Sequence, residues 1–348
     1  MTETKGTIVV TGANGGLGSA IVSAIVSTPE WSRYHGVYTA RDASTASALK
    51  SALQASPSIH RHPHPHWILS LDLSRMESVR AVAAEINARF EAGEIPPIRA
   101  LILNAGWNEF QSQTWTEAGF DMAFAVNYLG HWLLTLLLLK SMDRDVGRVV
   151  VVGSLAHDPN ADQNNAGGQF TDKKWKVILG DGTESVAKGT WSTISEDGSW
   201  RAGFRRYGAS KLCELLMIGE LQRRLDEDPV LHKVSVVGVD PGTMPTDLSR
   251  RGPWAMRVLL FQLILPLVAR IMSLISPNGS IRTAAKSSRD VLSAAFTVEH
   301  RNGLYLDGNK ETGMSAEGRD AEKQGMLWKD SVGYAELKEG ETILAHWT

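Results

Sequence analysis

Cysteine is nearly absent from this chain. Cys213 is the single one among 348 residues, so no internal disulfide can staple the fold. Such usage fits a reducing compartment. An excess of charge of one sign is missing too: 36 basic side chains stand against 38 acidic ones, for a formal net charge of −2. Nothing in that balance recruits nucleic acid or an anionic membrane. Long apolar runs are scarce. The longest, Val258 to Ile275, is broken by Gln262, Pro266 and Arg270, which argues against a spanning helix. It is expected to pack over an apolar pocket, with a membrane-resting amphipathic helix or a subunit contact as the alternatives. Residues 1–6 carry no signal or transit pattern and lead directly into a strand pattern. The expected location is therefore cytoplasmic, with peripheral membrane association as the alternative.

Hydrophobic residues make up 43% of the chain, enough for one large α/β domain over residues 1–348. Short β-branched or aliphatic runs recur at Thr7–Val10, Gly36–Ala40, Trp67–Leu71, Ala100–Leu103, Arg148–Val152, Val234–Val239 and Gly303–Leu306. Apolar residues at helical spacing separate most of them, as in Ser19 to Val26 and around Val79, Val82 and Ile86, with Ser74 placed to cap the latter helix. Alternating strand and helix implies a doubly wound parallel sheet of about seven strands with right-handed crossovers. Open sheets of this kind bind ligands at the C-terminal ends of their strands, and nearly every unusual residue falls there.

Two segments break the rhythm. His60-Arg61-His62-Pro63-His64-Pro65-His66 places histidines at alternate positions, a pattern that suggests metal binding. Its prolines, and the lack of accompanying cysteine or acid, favour a solvated connector, and no metal site is expected. Residues 156–206 are rich in Gly, Asp and Asn and carry Trp175, Trp191 and Trp200. They are too long for an ordinary connection and are expected to form a partly ordered insertion beside the functional site. Cys213, in an apolar helical pattern, is expected to be a buried structural thiol.

The residues that carry chemistry begin with Gly12, Gly16 and Gly18, spaced as Thr-Gly-x-x-x-Gly-x-Gly between the first strand and its helix. Such a turn, with Asn14 and Leu17 inside it, lets the backbone approach a pyrophosphate at the helix N-terminus; a plain β-α turn is the bland alternative. An NAD site places an acid near the end of the second strand, on the ribose hydroxyls. Ala40 stands there instead, followed by Arg41, which can pair with a 2′-phosphate, and by Asp42. NADP is the expected cofactor, with a merely solvated Arg41 as the alternative. Asp72-Leu73, closing the third strand, would face the adenine edge or simply start a helix. Tyr207 and Lys211 stand four residues apart, on one face if helical. The ammonium favours the phenolate by charge attraction. The product is an acid/base tunable near neutral pH, as carbonyl reduction requires.

Taken in order, Thr11-Gly12-x-x-x-Gly16-x-Gly18, Asn104-Ala105-Gly106, Asn127, Ser154, Tyr207-x-x-x-Lys211 and Pro241-Gly242-Thr243 resemble the short-chain dehydrogenases/reductases over nearly the whole chain. Ala40-Arg41-Asp42, Asn127-Tyr128-Leu129-Gly130-His131, Gly153-Ser154-Leu155-Ala156-His157 and Gly303-Leu304-Tyr305-Leu306 are similar to the retinol-dehydrogenase and protochlorophyllide-reductase branch. The resemblance implies a Rossmann-type sheet, NADP(H), and a lipophilic carbonyl or alcohol as the small-molecule partner. By the same resemblance Tyr207 would donate the proton in reduction or accept it in oxidation. Lys211 would lower the pKa of that phenol and hold the nicotinamide ribose. Ser154 would hold the substrate oxygen, and Asn127 the water chain that refills the proton at Lys211. Asn104, Ala105 and Gly106 would support the cofactor pocket, and Pro241, Gly242 and Thr243 would lie along the nicotinamide.

One departure from the family stands out. Ser154 and Tyr207 usually lie much closer in sequence, so the residues between them must loop out here for both side chains to meet one oxygen. Trp254 to Ile275, within a lid segment 254–282, would close over a bulky ketone or alcohol such as a polyketide, terpenoid or steroid. An isomerase or cyclase without net redox, and a non-catalytic NADP-binding interaction module, are the alternatives. The intact Ser-Tyr-Lys set argues against both.

Overall fold

In the computed structural model, which describes residues 4–55, 64–180, 182–245, 264–276, 278–297 and 303–348, the run Thr7-Ile8-Val9-Val10 forms β1 (Thr7–Val10), buried along its whole length. The chain continues through α1 (Gly16–Ser27), β2 (His35–Ala40), α2 (Ser47–Gln54), β3 (His66–Ser70), α3 (Met76–Glu91) and β4 (Ile98–Leu103). Then follow α4 (Gly130–Leu138), β5 (Arg148–Val152), α5 (Glu184–Ala187), α6 (Trp200–Glu227) and β6 (Ser235–Asp240). The last elements are α7 (Leu265–Ile275), α8 (Ala284–Phe296), β7 (Leu304–Asp307), β8 (Lys310–Thr312) and α9 (Ala321–Tyr334).

The strands form one sheet in the order β3-β2-β1-β4-β5-β6-β7-β8. Neighbours from β3 to β7 pair in parallel, and β8 pairs antiparallel with β7. This last strand adds to the seven expected. It is short, charged and exposed, so it has no apolar run to betray it. Side chains alternate between the two faces of a strand, and the core divides accordingly. Val9, Leu101, Val149 and Val151 face α3, α4 and α6, whereas Ile8, Ile102, Val150 and Val152 face α1 and α8. Coverage on both faces explains why the strands read as unbroken apolar runs. Each such Val, Leu or Ile contributes about 1.5–3 kcal/mol by leaving water. The chain runs outward from β1 to β3 and then returns to β4 on the other side of β1. That reversal opens a crevice at the C-terminal ends of β1 and β4.

Local expectations meet two corrections. Ser74 does not cap α3. Asp72 Oδ1 accepts from both Ser74 N (3.0 Å) and Ser74 Oγ (2.6 Å), and the helix starts after Arg75 with no side-chain cap. His64 is not a solvated connector residue. Its Nδ1 donates to Ser32 O (3.1 Å), its Nε2 lies 2.8 Å from the buried Tyr38 hydroxyl, and it stacks on His66. Residues 60–63 of that stretch lie outside the described residues, as do residues 254–263 and 277 of the segment 254–282. Among the described residues, no helix is long and apolar enough to cross a membrane. Cys213 is fully buried, and burial pushes its thiol up.

Residues 156–199 pack onto the body through short turns and α5. Phe170, Ile178 and Leu179 are fully buried. Glu317 accepts from the backbone N–H of Ile178 (3.0 Å) and Leu179 (2.6 Å), and Thr183 donates to Asp330 (2.5 Å). Trp175 packs edge-on to Trp191 under the Arg205 guanidinium. Ser199 then caps α6 by accepting from Arg201 N, so the excursion ends seven residues before Tyr207 would be needed at the sheet edge.

Candidate active site

The turn after β1 needs its glycines. Gly12 has φ +63, a left-handed conformation that favours glycine, and a Cβ there would stand 2.7 Å from Ala105 Cα. A Cβ on Gly18 would stand 2.8 Å from Ala13 Cα. Leu17 turns into the core, while Asn14 accepts from Leu49 N at 3.1 Å and so ties the turn to α2. Gly15 leaves the first N–H groups of α1 without a side-chain cap, free for an anion. This cradle fits the pyrophosphate of a dinucleotide.

One hydrogen-bond chain locks the cradle to the rest of the site. Thr11 Oγ1 accepts from Asn104 N (2.9 Å) and Ala105 N (3.0 Å), and Asn104 Nδ2 donates back to Thr11 O (2.8 Å). Thr11 Oγ1 also meets His131 Nε2 at 2.9 Å, and His131 Nδ1 meets Asn127 O at 2.8 Å. A carbonyl can only accept, so Nδ1 carries the proton and Nε2 takes the threonine hydroxyl proton. Burial holds His131 down to about 3, and the ring is neutral. Asn127 lies in a π-turn, Phe124–Leu129, that leads into α4. Its Oδ1 accepts from Trp107 N (2.6 Å), and its Nδ2 donates to Trp107 O (3.0 Å) and Ser210 Oγ (2.8 Å). The Asn127 carbonyl has the His131 ring on one lone pair.

Ser154 and Tyr207 meet despite the long excursion between them. The Ser154 hydroxyl hydrogen-bonds the Tyr207 phenol and accepts from Ala156 N at 3.2 Å. His157 Nδ1 donates to Ser154 O (2.7 Å), and its Nε2 accepts from Ser315 N (3.1 Å), which pins the serine backbone. Lys211 Nζ lies 5.7 Å from the centre of the Tyr207 ring. The phenol nevertheless does not settle toward phenolate as the Tyr207–Lys211 spacing alone suggests. Burial raises its pKa, Lys211 lowers it, and burial wins. Lys211 Nζ donates to Val152 O (2.9 Å) and to both oxygens of Glu214 (3.0 and 2.9 Å), which blunts its field at the phenol.

Gly208 makes this meeting feasible. A Cβ there would run into Ala156 O and stand 3.4 Å from Phe170 Cζ. Alanine in a helix interior normally stabilises relative to glycine, so the sign of Gly208→Ala is set by the clash. The expected result is a loss of about 1–3 kcal/mol in stability, read by chemical denaturation, with turnover falling more than cofactor affinity. An unchanged unfolding midpoint would show that α6 does not depend on this close approach.

The remaining expected residues fall around the same edge. Arg41, exposed at the end of β2, places its guanidinium 4.8 Å over the Trp107 ring. Asp42 turns away, accepting from Ser44 N (2.8 Å) and Ser44 Oγ (2.6 Å). Asp72 is occupied with Ser74, and Leu73 turns its side chain into the core rather than the crevice. Gly106 is exposed at the rim. Gly242 has φ +73, Pro241 O accepts from Ser287 Oγ (2.6 Å), and Thr243 pairs with Ile281. The fully buried Arg282 braces this loop by donating to Asp240 O (3.0 Å) and pairing with Asp307. Glu214, His131 and Phe204 belong to the site without having been expected there. Glu214 follows Lys211 by three residues, a spacing that places both on one helix face; Phe204 precedes Tyr207 by three.

Comparison with known proteins agrees with this geometry. The family model described as short chain dehydrogenase matches residues 6–166. The short-chain dehydrogenase iccH of Talaromyces variabilis is 46% identical over 364 aligned positions, covering 99% of each chain. Protochlorophyllide reductase A of Arabidopsis thaliana is 28% identical, covering 94% of this chain and 76% of its own. An NADPH-bound carbonyl reductase from chicken fatty liver superposes with a TM-score of 0.55 at 17% identity, over 88% of this chain and 98% of that one. The angucycline C-6 ketoreductase LanV with bound NADP gives 0.54 at 17%, over 88% and 96%; at such identities these two share the fold. The chain belongs to the short-chain dehydrogenase/reductase family of oxidoreductases, which work with a nicotinamide cofactor.

Proposed function

We propose that this chain is an NADPH-dependent reductase of a bulky lipophilic ketone, or the corresponding alcohol dehydrogenase, and that its substrate is a polyketide, terpenoid or steroid-like molecule. The observation that carries the reading is the convergence of Ser154, Tyr207 and Lys211 beside the glycine cradle. Bound NADPH supplies the hydride, and the protein supplies orientation and protons. The Ser154 hydroxyl holds the substrate oxygen, and the Tyr207 phenol, kept protonated by burial, hands it a proton. Lys211 would reach the nicotinamide ribose, and Asn127, through its carbonyl, the water that refills the proton. Gly12, Gly16 and Gly18 would hold the pyrophosphate, Arg41 the 2′-phosphate, and Pro241 to Thr243 the nicotinamide.

Support for a lipophilic substrate comes from an aromatic row leading to the phenol. Trp200, Phe204 and Tyr207 recur along one face of α6, with ring centres 6.1 and 6.5 Å apart, and Phe170 packs edge-on to Phe204. Apolar ring systems gain most from such a wall. The angucycline ketoreductase and the carbonyl reductase named above also lend weight to ketone reduction. The test is NADPH oxidation with purified protein and two ketone panels, one of fused-ring and one of small aliphatic ketones. Fused-ring ketones should be turned over with kcat/KM higher by about 10-fold or more. Binding of NADPH with no oxidation by either panel would overturn the reading.

A further inference from the structure

Lys211 is not a lone cation beside Tyr207. Its Nζ is held by both carboxylate oxygens of Glu214, at 2.9 and 3.0 Å, with side chains 5% and 1% exposed. Among the described residues, Lys211 is the only hydrogen-bond donor to that carboxylate. A charge pair this deep gives up its hydration and is a weak source of stability on its own. The groups around it are Tyr207 and Cys213 on α6, Asp240 at the end of β6, Tyr305 on β7 and His131 on α4. Glu317 reaches the same cluster through Cys213. His131 is neutral, and the Tyr305 hydroxyl is buried with no hydrogen-bond partner among the described residues. No second cation from these neighbours competes for Glu214.

We propose that Glu214 is a positioning residue for Lys211: it pins the ammonium, cancels most of its charge as felt at the Tyr207 phenol, and so governs the pH range in which Tyr207 keeps its donor proton. The proposal deepens the reading of Tyr207 as the proton donor and rests on it. A bare ammonium pulls a neighbouring phenol toward phenolate. With a carboxylate against it, the phenol faces a dipole, whose field falls off faster with distance than that of a charge. The electrostatics agree in direction, since Lys211 lowers the Tyr207 pKa and Glu214 raises it. Glu214 is itself pushed up by burial, to about 7, against the pull of Lys211. Below that range the carboxyl is neutral and Lys211 acts as a full cation. Above it the pair is internally neutral and the phenol holds its proton, which extends the alkaline range of reduction.

The experiment is an ultraviolet phenolate titration of the cofactor-free protein. Each spectrum is taken as a difference against the same protein carrying Tyr207→Phe, so that Tyr207 alone is read. In Glu214→Gln the Tyr207 step should move to lower pH by about one unit or more. Glu214→Asp, which keeps the charge, should stay near the native step. A Tyr207 step that stays in place, or rises, in folded Glu214→Gln overturns the proposal, and Glu214→Asn is read the same way should Gln fail to fold. A purely structural role would lower the unfolding temperature and leave the step where it is. Because no ketone is present, an absence of turnover on every ketone bears on the proposed function and not on this result.

Discussion

Tyr207→Phe should lower the turnover of ketone with NADPH by about 10²–10⁴-fold, the range for removal of a positioned proton donor. The substitution deletes one oxygen and little else. The ring stays buried and keeps its contact with Phe204, 6.5 Å away between centres. Ser154 loses a hydrogen-bond partner but retains the N–H of Ala156, so the fold should lose about 1 kcal/mol or less. Cofactor affinity should change by about twofold at most, since the loss belongs to the transition state rather than to ground-state binding. Stopped-flow absorbance separates the two quantities. The pH dependence carries the sign. Tyr207 must be protonated to donate, and its folded pKa lies above the ordinary phenol value. Native reduction is therefore complete below that pKa and fades only as pH rises through it, whereas the variant lacks this limb. Turnover within about tenfold of native would remove Tyr207 from the donor role.

How much of this site could be read in the sequence depends on the distance over which each feature is decided. β1 and β5 are legible to the residue because β-branched runs are bounded by a glycine turn and by Gly153-Ser154. The cradle is legible because its glycines answer to local backbone geometry. The lone β8 is not, since its pairing with β7, and not an apolar pattern, makes it a strand. Glu214 is half legible. Its spacing from Lys211 is written in the helix period, but its burial depends on strands and helices far along the chain. Residues 156–206 show the limit most plainly. Their composition reads as loose, yet Glu317 and Asp330, well over a hundred residues away, anchor them. The net pKa of Tyr207 fails for the same reason: the spacing announces Lys211, and only the folded surroundings supply the burial that outweighs it.

Arg41→Ala should weaken NADPH binding by about 10–100-fold, the equivalent of a charged hydrogen bond worth roughly 1.5–3 kcal/mol, and leave NADH nearly untouched. The side chain is exposed at the end of β2 and rests on the Trp107 indole. Asp42, the one acid beside it in sequence, has its Oδ1 committed to Ser44 and does not offset the guanidinium. A planar, permanently charged fork at this place matches a phosphate better than a ribose hydroxyl. Isothermal titration with each cofactor measures the ratio. Two controls separate charge from packing. High salt should shrink the native preference for NADPH, because an exposed charge pair is screened. Arg41→Lys should keep part of the preference, since it retains the charge but not the bidentate geometry. Equal losses for NADPH and NADH would instead assign Arg41 to holding Trp107, whose backbone N–H and C=O clasp Asn127. In that case the residue would act on the catalytic side of the crevice and not on the phosphate.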